Sequence, residues 1–202
     1  MTAQGHMGQL KARSWNLEAK LQYDTPQPNP TGSCGVYATT SIYDDEDVDI
    51  FYEELGKALD EDKSKYNVVM SDFNPKIGQK DKHSDTQSMG PFGTGEKNVR
   101  GERLIKFAEE RNLIIANTLF QKPEKRMWTW ESPDGTTRNQ IDFTMTSERN
   151  MSKDCGVITK IDIGSDHRMV RARIVINSRL ERLRRIKKKE TNKDKHRNTG
   201  DA

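Results

Sequence analysis

The stretch YNVVMSDFN, Tyr66 to Asn74, joins a short apolar run to a polar end. Val68, Val69 and Met70 in succession, bounded by polar residues, predict a short buried strand. In extended chain, residues two apart point to the same side, so Asp72 and Asn74 are expected on one face with Phe73 turned to the core. A carboxylate and a carboxamide at a strand end can orient a water and hold a phosphoryl oxygen. Taken alone, the triplet is more often an Asx turn that closes a strand.

Strands and helices alternate on either side of this run. Gly35–Thr40 reads as a strand. Asp44–Asp60 reads as a helix, with Val48, Phe51, Tyr52, Leu55 and Leu59 on one face and acidic residues in its first turn. Gly78–Gly101 is rich in glycine and reads as a long loop, a feature that is usually functional or disordered. A second helix is expected over Val99–Arg111, burying Leu104, Ile105 and Ala108, with Asn112 as its left-handed stop. Leu113–Asn117 is a strand, and Met127–Glu131 with Thr137–Thr144 reads as a hairpin around Ser132-Pro133-Asp134-Gly135. Strands follow at Gly156–Ile163 and Met169–Ile176. The pattern predicts a layered α/β sandwich.

Two further polar clusters lie beside predicted strands. In Asn139-Gln140-Ile141-Asp142-Phe143, Asp142 falls on the polar face of its strand. It is either a solvated position or a carboxylate that orients a histidine. Ser165-Asp166-His167 precedes the last strand. There the carboxylate suits a hard cation such as Mg²⁺, and the imidazole suits proton chemistry near neutral pH, although such a pair in a loop is usually plain surface. Zinc is disfavoured, because His6, His83 and His196 lie in polar segments without ligand spacing. Trp128 and Trp130, alternate residues of one strand, share a face, and core packing is expected for at least one of them.

Composition sets the outer limits. The chain has 202 residues, 32% hydrophobic and 32% charged, with a mean hydropathy of −0.97. That apolar share is below the roughly 45–50% of ordinary globular chains, so a core spanning the whole length is not expected. There is no apolar run long enough for a membrane span and no apolar segment of a secretory leader near Met1. Cys34 and Cys155, far apart, fit a reducing, intracellular setting, nuclear or cytoplasmic. The net charge of +3 is unevenly spread: Ser178–Ala202 carries ten Lys/Arg against four Asp/Glu, or +6, leaving −3 for residues 1–177. That basic tail reads as helical and then disordered, either a phosphate-backbone arm or localisation signal, or a solvated end. Residues 1–34, with Pro26, Pro28 and Pro30, read as an irregular lead, and residues 35–177 as the organised body. Nothing signals a defined oligomer.

The three clusters form an ordered set with Tyr37: a strand tyrosine, Asp-x-Asn after a strand, a strand Asp, and Ser-Asp-His before a final strand. In that order they resemble the endonuclease/exonuclease/phosphatase superfamily. The wording is closer still in VYATTSIYDDEDVDIFYEELGKALDED, GPFGTGEKNVRGERLIKFAEERNLIIANTLF, MWTWESPDGTTRNQIDFTM and SDHRMVRARIVI. These stretches resemble the endonuclease domain of RTE-type LINE retrotransposons and the craniofacial development protein 2-like proteins related to such elements. The likeness runs from about Gly35 to Ile176.

The resemblance implies Mg²⁺- or Mn²⁺-dependent hydrolysis of a phosphodiester in DNA, leaving a 3′-hydroxyl. It implies that Tyr37 contacts the scissile phosphate, Asp72 orients or deprotonates the attacking water, and Asn74 stabilises the transition state. Asp142 would hold the catalytic histidine, His167 would stabilise or protonate the phosphoryl group, and Asp166 would bind metal. The fold implied is the C-terminal half of a four-layer α/β sandwich. Two family motifs ahead of the tyrosine, a strand-end Asn and a metal-binding Glu, have no counterpart beyond a faint one in Trp15-Asn16. The family glycine before the aspartate is Ser71, and Pro75 follows Asn74. Two outcomes are therefore expected: an endonuclease lacking its N-terminal half, or an inactive retroelement remnant that binds nucleic acid through its basic tail. In either case half a sandwich is expected either to expose an apolar inner face or to fold poorly.

Overall fold

The computed structural model describes residues 18–23, 33–36, 45–61, 66–161 and 164–176. Tyr37, the Trp15-Asn16 pair, Asp44 at the start of the first expected helix and the basic tail lie outside them. The elements in chain order are β1 (Glu18–Tyr23), β2 (Ser33–Val36), α1 (Asp45–Glu61), β3 (Asn67–Asp72), α2 (Val99–Glu110), β4 (Ile114–Ile115), β5 (Trp130–Glu131), β6 (Arg138–Asn139), β7 (Asp142–Thr146), β8 (Ser152–Val157) and β9 (Val170–Ile176). The architecture is mixed α/β, as the sequence pattern predicted.

Two sheets form the body. One has the order β2-β3-β7-β4, the other β1-β9-β8. In the first, β2 runs parallel to β3, while β7 is antiparallel to both β3 and β4. Alternation along β3 and β7 then sorts the side chains. Val69, Phe73, Phe143 and Met145 pack with Ile115 against Tyr52 and Leu55 of α1 and Leu104, Phe107 and Ala108 of α2. The opposite face carries Val68 and Met70, which pack with Cys155, Val170, Ala172 and Ile174 of the second sheet. Among the described residues the layers are thus helices, sheet, sheet.

This arrangement corrects two expectations. The lead read as irregular carries β1, whose pairing with β9 supplies the hydrogen bonds that local sequence does not announce; β2 starts two residues ahead of the strand expected at Gly35–Thr40 and pairs with β3. The inner face expected to lie bare is covered, because β8 and β9 close over Val68 and Met70. Ile50, Val99 and Ile161 are the exposed large hydrophobics among the described residues, and they are separated along the chain.

Both helices follow the apolar periodicity. In α1 the buried side is Tyr52 and Leu55, with Val48, Phe51 and Leu59 partly covered. In α2 the Asn98 carboxamide oxygen caps the first turn by accepting from Gly101 N–H, as an N-cap should. Asn112 follows in the left-handed region at φ 52° and turns the chain into β4. The expected strand at Leu113–Asn117 is shorter than predicted, because Ala116–Leu119 wind into a 3-10 turn. The strand expected at Gly156–Ile163 begins four residues earlier, at Ser152, where polar residues pair with β9 across a register shift.

The glycine-rich loop after β3 is packed rather than loose. Ser88 and Met89 are buried, and Met89 bridges to Ile115. A side chain on Gly101 would strike the carbonyl of Lys76, and one on Gly93 the carbonyl of Gly78. Glycine at these positions lets backbone lie on backbone, which fixes the segment leaving Asn74.

Candidate active site

The β3–β7 register places Asp72 directly opposite Asp142. Both belong to the alternation that faces the second sheet, one step beyond Met70 and Thr144, at the rim where the two sheets part. The turn Ser165-Asp166-His167, which leads into β9, closes that rim from the other sheet. Two layers therefore supply one cluster.

Within it, His167 Nδ1 lies 3.1 Å from Asp142 Oδ2 and 3.3 Å from Oδ1. Its Nε2 points toward Asp72 Oδ2 at 3.9 Å, beyond hydrogen-bond range. All three residues are buried. The other Asp72 oxygen, Oδ1, accepts the Asn74 N–H at 2.9 Å, and Asn74 adopts φ 53°. The Asx-turn reading of this triplet is thus realised, and the left-handed backbone takes Asn74 out of the extended geometry in which it was expected to share a face with Asp72. Ser71 fits without displacing the strand; it is buried, and its hydroxyl donates to the Asp72 carbonyl.

Burial pushes the Asp72 carboxyl up to about 7, with the Asp142 charge adding to it. The Asn74 N–H and the His167 cation work against that rise. Burial opposes the His167 cation, yet the hydrogen bond and charge of Asp142, joined by Asp72 and Asp166, hold its pKa above the ordinary value. The carboxyl is thus made less acidic than usual, which brings it into the neutral range useful for proton transfer, and the imidazole more basic, which favours its cation.

Three residues that the sequence reading did not assign to the site hold this geometry. Thr129 is wholly buried, and its hydroxyl oxygen accepts both the Ile141 and the Asp142 N–H groups. It fills the break between β6 and β7, where the hairpin arm leaves β5 and enters the main sheet. Asn117 stands where β4 has turned away from β7. Its carboxamide accepts Thr144 N–H and donates to the Asp142 carbonyl, continuing the ladder by side chain. Trp130 donates its indole N–H to Asp166 Oδ2 at 2.9 Å. The sole sequence signal for Thr129 and Asn117 is a polar residue inside a strand-like run. Trp128 is buried, as expected for one of the pair, with the guanidinium groups of Arg138 and Arg168 over its ring.

The oxygen donors fit a hard cation in type: Asp166 is exposed at the rim, and Asp72 and Asn74 lie across it. Among the described residues no three His, Cys, Asp or Glu side chains are grouped so that they could hold a metal ion. Mg²⁺ keeps several waters and is commonly held by one or two carboxylates together with substrate phosphates. Of the six residues the sequence singled out, five come together here: Asp72, Asn74, Asp142, Asp166 and His167. Tyr37 lies outside the described residues.

A family model described as endonuclease–reverse transcriptase matches residues 34–171. Two curated relatives, both called craniofacial development protein 2, come from Bos taurus and Tragulus javanicus. Each is 39% identical over 142 residues, or 68% of this chain. That alignment covers 23% of the first relative and 24% of the second, so the chain spans about a quarter of their length. No helix of the described residues is long and apolar enough to cross a membrane.

Proposed function

The chain belongs to the endonuclease–reverse transcriptase family, of the endonuclease/exonuclease/phosphatase type, and from that premise we propose that it hydrolyses phosphodiester bonds in DNA with the help of Mg²⁺ or Mn²⁺. The observation that carries the reading is the buried Asp142–His167–Asp72 line, with Nδ1 engaged and Nε2 facing the second aspartate across 3.9 Å. That separation is too wide for a direct bond and leaves Nε2 and Oδ2 facing one space. A reacting phosphoryl group and its attacking water belong there.

In this mechanism Asp72 takes a proton from the water as its oxygen bonds to phosphorus, and the P–O3′ bond breaks. His167, kept cationic and aimed by Asp142, donates to a phosphoryl oxygen as negative charge builds. Asn74 steadies the same oxygens, and Tyr37 contacts the scissile phosphate. The departing oxygen takes a proton from solvent water and becomes a 3′-hydroxyl, which can prime DNA synthesis. Asp166 would hold the cation, which when bound supplies electrophilic stabilisation of the phosphoryl charge.

In the same reading, residues 35–177 form part of a four-layer sandwich domain of retrotransposon origin. Residues 1–34 lead into it, and residues 178–202 form a basic arm on the nucleic acid, in the nucleus or cytoplasm. The test is end chemistry. Supercoiled plasmid nicked in Mg²⁺ should be extended by a DNA polymerase with no repair of the 3′ end. Nicks that block extension would count against the proposal.

A second reading, an inactive nucleic-acid-binding remnant, draws on the lack, among the described residues, of three His, Cys, Asp or Glu side chains grouped to hold a metal ion. It predicts no Mg²⁺-dependent nicking, together with DNA binding that disappears and loses its salt dependence once residues 178–202 are deleted.

A further inference from the structure

Strand β5 lies between β6 and the Ser165-Asp166-His167 turn and is bonded to both. Thr129 N–H donates to the Asn139 carbonyl on one side, and the Thr129 carbonyl accepts Arg168 N–H at 2.6 Å on the other. Glu131 N–H donates to the Asp166 carbonyl at 3.0 Å, and Trp130 and His167 form an antiparallel bridge. Backbone pairing therefore fixes where Asp166 sits. It does not fix how its exposed carboxylate points. The contacts that do are the Trp130 indole N–H on Oδ2 at 2.9 Å and a longer approach of the Ser165 hydroxyl to Oδ1 at 3.4 Å.

We propose that Trp130 is a positioning residue for metal binding: its indole N–H holds the Asp166 carboxylate in one orientation, so that the site meets a divalent cation with this ligand already aimed. The inference rests on the reading of Asp166 as a cation ligand and adds the group that orients it. Indole suits the task. It is a rigid donor with no acceptor of its own, so it cannot compete for the cation, and its half-buried ring limits its swing. Hydrogen-bond partners of metal-bound carboxylates commonly influence affinity by 10- to 100-fold.

Trp130→Phe keeps an aromatic ring and deletes the N–H. Mn²⁺ serves as the probe, its binding read by the loss of the free-ion electron paramagnetic resonance signal without DNA. In parallel, the indole N–H resonance of Trp130 is identified by its absence in Trp130→Phe and followed in Asp166→Asn. Support consists of about tenfold weaker Mn²⁺ binding in Trp130→Phe with its melting temperature within a few degrees of wild type, and a displaced Trp130 resonance in Asp166→Asn. Equal Mn²⁺ affinity in wild type and Trp130→Phe, with Asp166→Asn weakened, overturns the positioning role and leaves the metal reading intact. Equal affinity in wild type and Asp166→Asn overturns both. If Trp130→Phe melts far below wild type, an unmoved indole resonance in Asp166→Asn decides against the proposal and a displaced one in its favour.

Discussion

Replacing Asp72 by Asn should make the metal-free protein more stable at pH 8 while abolishing turnover. Asp72 is 5% exposed, and burial pushes its carboxyl from the ordinary 3.8 up to about 7. A folded-state pKa raised in this way means that the native state prefers the protonated acid. The stability supplied by that proton is complete below about 4, falls as pH rises, and is gone above about 7. At 1.36 kcal/mol per pH unit, the whole interval corresponds to on the order of 4 kcal/mol. Asparagine stays neutral throughout and keeps an oxygen for the Asn74 N–H. The advantage of Asp72→Asn over wild type should therefore grow by about 2–3 kcal/mol between pH 5 and pH 8. Asp72 carries its charge only above its pKa of about 7, so loss of its attraction for the His167 cation trims the gain at the alkaline end. Urea denaturation of both proteins at the two pH values reads the difference directly. An identical difference at both, or a variant less stable than wild type at pH 8, would refute the account of Asp72 as a carboxylate held in the fold against its preference.

Other substitutions probe the supports. Thr129→Val preserves shape but strips the acceptor from two buried N–H groups, so it should cost about 2–4 kcal/mol in urea unfolding; a change under 1 kcal/mol would mean that the β6–β7 break does not need the hydroxyl. Gly101→Ala, which in an exposed helix would gain about 1 kcal/mol, should here destabilise by more than about 1 kcal/mol because the new methyl meets the Lys76 carbonyl; a raised melting temperature would contradict that packing. The Cys155 thiol is wholly buried, and burial pushes its pKa up to about 12. In a Cys34→Ser background it should react with a disulfide reagent at pH 8 no faster than the protein opens, and instant labelling of the native protein would disprove its enclosure.

The site was more legible in the sequence than the fold around it. Asp72 and Asn74 follow a β-branched run, Asp142 sits in an alternating strand, and Asp166 and His167 precede another. Position relative to a strand end is what brings such groups to one rim, and that is readable from local pattern. Thr129 and Asn117 were not readable, since each acts by satisfying backbone groups of a segment distant in sequence. Nothing in their own neighbourhoods records that demand. The same holds for β1, whose strand partner among the described residues is β9, at their far end. The start of β8 was missed because Ser152, Lys153 and Asp154 lack β propensity and owe their extended form to pairing with β9. Trp130 was weighed as a core residue, whereas its indole N–H belongs to Asp166.

The central claim is that His167, aimed by Asp142 at the space beside Asp72, belongs to a hydrolytic centre. Nicking of supercoiled plasmid in Mg²⁺ by wild type and by His167→Ala, purified identically, tests it most directly. A rate that falls about 10²- to 10⁴-fold in the variant, with its far-ultraviolet circular dichroism unchanged, is the predicted result. Equal rates in the two proteins, or no Mg²⁺-dependent nicking by wild type, would contradict it.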